Sequence, residues 1–262
     1  MTDAVFAPDP APAIGVEVGF ADGSYEVLIG SGLLGGIPAL LAERAPVHRY
    51  AVISDDNVAP LYGASVCDAL VASGVDARLY SFPAGEACKT RENWSMLTDA
   101  MLDDGHGRDS CVLAVGGGVT GDLAGFVAAT YLRGVPVVQV PTSYLAMIDA
   151  SVGGKTGVDV RAGKNLVGSF HAATVVVSDP DTLATLPAAE RVQGLVEAFK
   201  HGAILDAQYF EWLTSSAGRL LAAEIETDEE SGNFDAEAFI EPDQYIQFGD
   251  LPPPELPPKE VL

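Results

Sequence analysis

Basic residues are scarce in this chain of 262 residues: 14 Lys and Arg stand against 37 Asp and Glu, a formal net charge of −23. Bulk nucleic acid and anionic lipid present phosphates that such a balance repels, so neither is an expected partner, and a small molecule held in a local cationic pocket fits better. Cysteine is nearly absent. Cys67, Cys88 and Cys111 are odd in number and lack C-x-x-C spacing. That argues against a disulfide framework or a structural zinc knuckle and makes a reducing, cytoplasmic setting the default. Histidine is almost as rare, and His48, His106, His171 and His201 form neither an H-E-x-x-H nor an H-x-x-E-H motif. No apolar run is long enough to span a bilayer, and the N-terminal stretch has neither the basic nor the apolar region of a secretory signal, so the chain reads as soluble and unexported.

What is plentiful is apolar material, 48% of the chain, enough for a sizeable core in one large domain or two modest ones. VEVGF and YEVLIG read as strands around a turn at residues 21–24, and GLLGGIPALLAERA reads as a helix. The segment Tyr50-Ala51-Val52-Ile53 then opens a repeating pattern: strand, polar or glycine-rich loop, helix. It recurs as ARLYSF, PAGEACKT and ENWSMLTDAMLDDG, as CVLAV, GGGVTGD and LAGFVAATYL, and as PVVQVP followed by TSYLAMIDAS. Alternation at this spacing predicts βαβ units and a parallel sheet, with ligands bound beyond the carboxyl ends of the strands. From about residue 187 the pattern turns helical. The fold class expected is α/β: a parallel-sheet nucleotide-binding domain over residues 1–186, then the start of a truncated all-helical domain over 187–223. Residues 224–262, with 12 Asp and Glu, one Lys and six Pro, read as a disordered acidic tail.

Three groups of residues carry candidate chemistry. Gly116-Gly117-Gly118-Val119-Thr120-Gly121-Asp122 follows a strand and opens a helix, so its backbone N–H groups can approach a pyrophosphate; a turn serving only packing is the alternative. The next strand lacks the acid that usually holds a ribose, and Asp55 lies upstream instead. Lys155, in SVGGKTG, and Lys164 read as loop lysines able to meet a phosphate, or else simply solvated, with Asp149 near enough to orient or deprotonate a substrate hydroxyl. Glu197 and Lys200 share one face of a helix, as a surface ion pair or as a metal-ligating carboxylate with a neighbouring cation.

The run from GGGVTGDLAGFVAATYLRGVPVVQVPTSYLAMIDASVGGKTGVDVRAGKNLVGSFH to LVEAFKHGAILD, with SDDNVAP and PAGEACKT, resembles the 3-dehydroquinate synthase family over about residues 14–215. The resemblance implies conversion of a phosphorylated seven-carbon keto acid of the shikimate pathway to 3-dehydroquinate and phosphate, with NAD⁺ and a divalent metal, zinc or cobalt, in a cytoplasmic homodimer. It places Asp55 and Asn57 at the adenosine ribose and Glu86 and Lys89 on the nucleotide. Gly118, Val119, Thr120, Gly121 and Asp122 would lie at the pyrophosphate, and Thr142, Ser143, Lys155, Lys164, Thr182, Leu183, Ala184 and Thr185 would complete the cofactor site. For the substrate it implies Asp149 at the hydroxyl to be oxidised, Lys155 and Asn165 near the phosphate, Lys200 in the pocket, and Arg133 reaching the neighbouring subunit's site. Glu197 matches the family's carboxylate metal ligand.

The two histidine ligands of the family, in segments resembling N-x-G-H-T-x-G-H and H-G-E-A-V, do not occur in this sequence, which leaves the family pattern near residues 217–223. The expectation is a truncated or rearranged member, with Glu197 an orphan ligand and apolar surface exposed on the helices from about residue 188. Another sugar phosphate cyclase such as a 2-deoxy-scyllo-inosose synthase, an NAD⁺-binding pseudoenzyme, and a polyol or glycerol-phosphate dehydrogenase are the alternatives.

Overall fold

The computed structural model describes residues 13–20 and 23–222. Strands β1 (Ile14–Phe20) and β2 (Gly23–Ile29) form an antiparallel pair, and β2 then runs parallel to the rest of a seven-stranded sheet. That sheet also contains β3 (Arg49–Asp55), β4 (Asp76–Phe82), β5 (Ser110–Gly116), β6 (Val137–Pro141) and β9 (Val175–Ser178), in the order β1-β2-β9-β6-β5-β3-β4. The helices are α1 (Ile37–Arg44), α2 (Ala64–Ala72), α3 (Arg91–Asp103), α4 (Gly118–Thr130), α5 (Ala188–Leu205) and α6 (Ala207–Ala222).

The central strands are apolar on both faces because both faces are covered. Along β3, β5 and β6, Val52, Leu113, Val115, Val138 and Val140 pack with Ile37 and Leu41 of α1 and with Val66 and Leu70 of α2. Their neighbours Ala51, Ile53, Val112, Ala114 and Val137 pack on the other side with Leu97 and Met101 of α3 and Leu123 and Val127 of α4. The period of two thus divides one sheet between two helical layers. This is the architecture expected from the alternating pattern, and it brings the carboxyl ends of β3, β5 and β6 to one edge.

One feature departs from the sequence reading. The positions of Lys155 and Lys164, expected in glycine-rich loops, fall in a separate antiparallel hairpin of β7 (Lys155–Val160) and β8 (Gly163–Phe170). Lys155 and Lys164 therefore stand on strands. β8 is mostly exposed and rich in glycine and polar residues, so it gave no apolar periodicity. The hairpin lies close on α4 because Gly125 has no side chain: a Cβ there would fall 2.5 Å from Thr156 Cγ2. TSYLAMIDAS, expected to be helical, is so over residues 144–150, ending in the π-helical turn Ala146–Ala150.

α6 packs against α5 where Gly202 allows the backbone of Phe210 to within 3.0 Å of a notional Cβ. α5 leaves Val192, Val196, Ile204 and Leu205 exposed among the described residues, as the sequence led us to expect. The expectation for the acidic tail lies outside the described residues. No helix among those described is long and apolar enough to cross a membrane.

Candidate functional site

α4 starts two residues after β5, and its first turn has no side-chain cap at Gly117. A Cβ on Gly117 would lie 3.3 Å from Ser143 Oγ, and one on Gly118 would lie 3.2 Å from Ala150 Cβ, so the turn faces the segment after β6 across a narrow gap. Asp55, the last residue of β3, is buried; its carboxylate accepts hydrogen bonds from Thr120 Oγ1 at 2.9 Å and from the backbone N–H groups of Asn57 and Val58 at 3.0 and 3.2 Å. It braces the β3 loop against α4, while Asn57 stays exposed. Thr142 is buried and donates its N–H to Gly116 O at 3.0 Å. Ser143 Oγ accepts the Ala146 N–H at 3.4 Å. Gly116, Gly117, Thr142 and Ser143 thus meet at the strand ends. Farther along that edge, Tyr62 Oη sits 2.8 Å from Thr185 Oγ1 and donates to Thr182 O at 3.1 Å, fixing the turn Pro180–Thr185 that holds Leu183 and Ala184.

Lys89 occupies a different role from a free nucleotide contact. It is 3% exposed, and its ammonium donates to Asp122 Oδ2 at 3.0 Å and Asn165 Oδ1 at 2.8 Å, with Glu86 Oε1 at 3.3 Å and Asp159 Oδ1 at 3.8 Å. Asn165 adopts the left-handed region, φ 57°, and its N–H donates to Asp159 at 2.9 Å. The ammonium joins the 86–89 turn, α4 and the β7–β8 hairpin. Burial draws the Lys89 pKa down, but Asp122, Glu86 and Asp159 together outweigh it and leave the value above that of ordinary lysine. Asp122 shares this one cation with two other acids, so burial keeps its carboxyl above the usual range. Lys164 is exposed and pairs with Glu86 at 3.2 Å. Lys155 is exposed at the start of β7.

The third part of the site joins the Ala146–Ala150 turn to α5. A Cβ on Gly194 would fall 2.1 Å from Tyr144 Cβ and 2.9 Å from Leu145 N, so the absence of a side chain lets α5 seat directly on this segment. One turn farther along α5, Glu197 is brought toward Asp149. Glu197 Oε1 pairs with Lys200 Nζ and lies 3.3 Å from His201 Nε2. The hydrogen bond to Glu197 chiefly, and the charges of Glu197 and Asp149, raise the Lys200 pKa despite its partial desolvation. Ser151, two residues beyond Asp149, is buried with a hydroxyl that has no hydrogen-bond partner among the described residues. Arg133 is not part of this grouping. It is exposed just beyond the far end of α4, which at about 1.5 Å per residue is roughly 20 Å from Gly118.

A profile of the 3-dehydroquinate synthase N-terminal family matches residues 79–193. The chain is 46% identical over 205 residues to a 3-dehydroquinate synthase of Geobacter metallireducens, covering 78% of this chain and 57% of that protein. The matched part of the chain is related to the 3-dehydroquinate synthases. A Symbiobacterium thermophilum 3-dehydroquinate synthase is 46% identical over 201 residues, 76% of this chain and 56% of the relative. Among solved structures, the fold is similar to 2-epi-5-epi-valiolone synthase from Streptomyces hygroscopicus, with NAD⁺ and Zn²⁺ bound: TM-score 0.70, 34% identity, 78% of this chain and 56% of that one. It is also similar to a 2-deoxy-scyllo-inosose synthase complexed with carbaglucose-6-phosphate, NAD⁺ and Co²⁺: TM-score 0.68, 28% identity, 73% and 53% coverage. The chain spans a little over half the length of these 3-dehydroquinate synthases.

Sequence reasoning passed over His201 and Asp159. For His201 the signal was available: four residues after Glu197 is one helical turn, the spacing that stacks two side chains. Asp159 gave none, because its contact with Lys89 spans 70 residues and depends on the unforeseen hairpin.

Proposed function

We propose that this chain serves the 3-dehydroquinate synthase reaction, converting 3-deoxy-D-arabino-heptulosonate 7-phosphate to 3-dehydroquinate and phosphate with NAD⁺ and a divalent metal. The observation that carries the reading is the facing of the uncapped glycine turn of α4 by a segment bearing Asp149, with Glu197 and Lys200 brought alongside by α5. The identity to named 3-dehydroquinate synthases supports this substrate over that of the other cyclases. The residues present suit the absent groups: N–H donors at a helix start for a pyrophosphate, an unpartnered Ser151 hydroxyl for a bound ligand, and a carboxylate pair for a cation.

When bound, NAD⁺ takes up and returns a hydride and the metal polarises the reacting oxygen. In this reading the chain supplies orientation and charge. Asp149 accepts the hydrogen bond of the hydroxyl to be oxidised and Lys200 holds an oxygen of the same substrate. Once that carbon is a ketone, the adjacent C–H is acidic enough for its proton to leave with the phosphate, whose negative charge Lys155 stabilises. Asp55, Asn57, Glu86, Lys164 and the turn Pro180–Thr185 line the cofactor's path. Arg133, remote within one chain, is assigned to a neighbouring subunit's phosphate in a cytoplasmic homodimer.

The test is a pair of measurements on the purified chain: NAD⁺ titration by calorimetry, and phosphate release from the heptulosonate phosphate with added zinc or cobalt. Saturable NAD⁺ binding with phosphate release and no net NADH supports the proposal. Binding without release reduces the chain to a nucleotide-binding unit, and net NADH accumulation would instead indicate a dehydrogenase.

A further inference from the structure

We infer that Asp149, Glu197 and His201 together form a three-ligand divalent-cation site. The inference deepens the proposed function and rests on it for the identity of the cleft. One ligand atom from each of the three side chains lies within 4.8 Å of the other two, and Glu197 Oε1 and His201 Nε2 are 3.3 Å apart. A tetrahedral ion with N and O ligands at about 2.0–2.2 Å sets those atoms about 3.2–3.6 Å apart. The pair on α5 already meets that spacing, and Asp149 closes on it by side-chain rotation on the order of 1 Å.

The scaffold explains why these three residues converge. Glu197 and His201 are one turn apart on α5, and the seating of α5 through Gly194 on the segment after β6 delivers Asp149 from the facing element. Histidine supply points the same way. Of the four histidines, His48 precedes β3, His106 precedes β5 with Nδ1 3.2 Å from Ser110 Oγ, and His171 Nε2 is 2.9 Å from Val135 O ahead of β6. These three lie toward the amino ends of the sheet strands, and His201 is the histidine at the carboxyl edge. Lys200 Nζ pairs with Glu197 Oε1, so a cation already sits on one of the three ligands. An entering metal displaces Lys200 and frees its ammonium for substrate. Two oxygens and one imidazole nitrogen suit zinc or cobalt and leave a fourth position open.

The experiment is titration of the metal-stripped full chain with Co²⁺, followed by its visible d–d absorption and by calorimetry, with NAD⁺ titrated in parallel. One equivalent of cobalt is expected, with affinity falling at least tenfold in His201→Ala and in Glu197→Gln while NAD⁺ affinity stays within twofold. Lys200→Met is expected to bind cobalt severalfold more tightly, a gain that misfolding cannot produce. Cobalt affinity unchanged in His201→Ala, no binding by the parent chain, or no gain in Lys200→Met overturns the site. If NAD⁺ binding persists, unchanged cobalt affinity in His201→Ala or no gain in Lys200→Met leaves the functional reading standing; no cobalt binding by the parent chain overturns the site and the metal-dependent part of that reading, and loss of NAD⁺ binding by the parent chain overturns both.

Discussion

Replacing Lys89 by Met tests whether the buried ammonium holds three elements together. Met fills a similar volume without charge, so packing is nearly kept while Asp122, with its side chain 20% exposed, loses its cation and Asn165 loses its donor. Removing one partner of a buried ion pair costs about 3–5 kcal/mol because the other charge is left uncompensated. Glu86, 40% exposed, is screened by water and adds little, which places the expectation at the lower end, about 3 kcal/mol. With a urea dependence near 2 kcal/mol per molar, the midpoint falls by about 1.5 M. The loss must also depend on pH. The folded-state pKa of Asp122 already lies above its ordinary value, and in the variant it rises further, so its contribution is most favourable below the unfolded pKa and fades as pH rises through the folded one. The difference between variant and parent therefore shrinks as pH is lowered from neutrality. Urea melts at several pH values, read by far-ultraviolet circular dichroism, supply the numbers. A midpoint equal to that of the parent at neutral pH, or a difference independent of pH, refutes the reasoning.

Two further substitutions probe other parts of the molecule. Gly194→Ala sets a methyl group 2.1 Å from Tyr144 Cβ, so α5 must shift; a loss of about 1–3 kcal/mol, or roughly 2–10 °C in thermal midpoint, is expected in a calorimetric scan, together with weaker cobalt binding. A thermal midpoint and cobalt affinity matching the parent would contradict the close seating of α5. His106 is buried, and desolvation with the Arg49 charge, reinforced by Arg78 and opposed by Asp76, pulls its pKa from 6.5 to about 4. Its depressed value means stability present above pH 6.5 is lost as pH falls toward 4, by at most about 3 kcal/mol, and His106→Gln flattens that limb of the pH–stability curve. An unchanged limb in the variant would show that another group titrates there.

The parallel core was legible because β3, β5 and β6 are short unbroken apolar runs between glycine or polar clusters, a pattern that local sequence fully determines. β7 and β8 were not, since their pairing rests on close backbone approach. Gly157 and Gly168 face each other across the hairpin, and a Cβ on Gly168 would stand 2.1 Å from Thr156 O, a constraint visible only once the strands are paired. β9 was passed over because four valine-rich residues resemble any buried segment, although Asp179-Pro180-Asp181 directly after it marks a turn. In the candidate site, the start of α4 after β5 was legible from the strand-glycine-helix pattern. Lys89 was recognised as a cation but not as a node, because its partners Asp122 and Asn165 lie 33 and 76 residues away.

The Lys89 ammonium also bears on how the molecule opens. A two-stranded hairpin standing alone would fray independently of the sheet. Tethered through Asp159 and Asn165 to the cation that anchors Asp122, β7 and β8 gain a common fate with the first turns of α4. Their amides are therefore expected to exchange with deuterium together with that helix, and ahead of it in Lys89→Met.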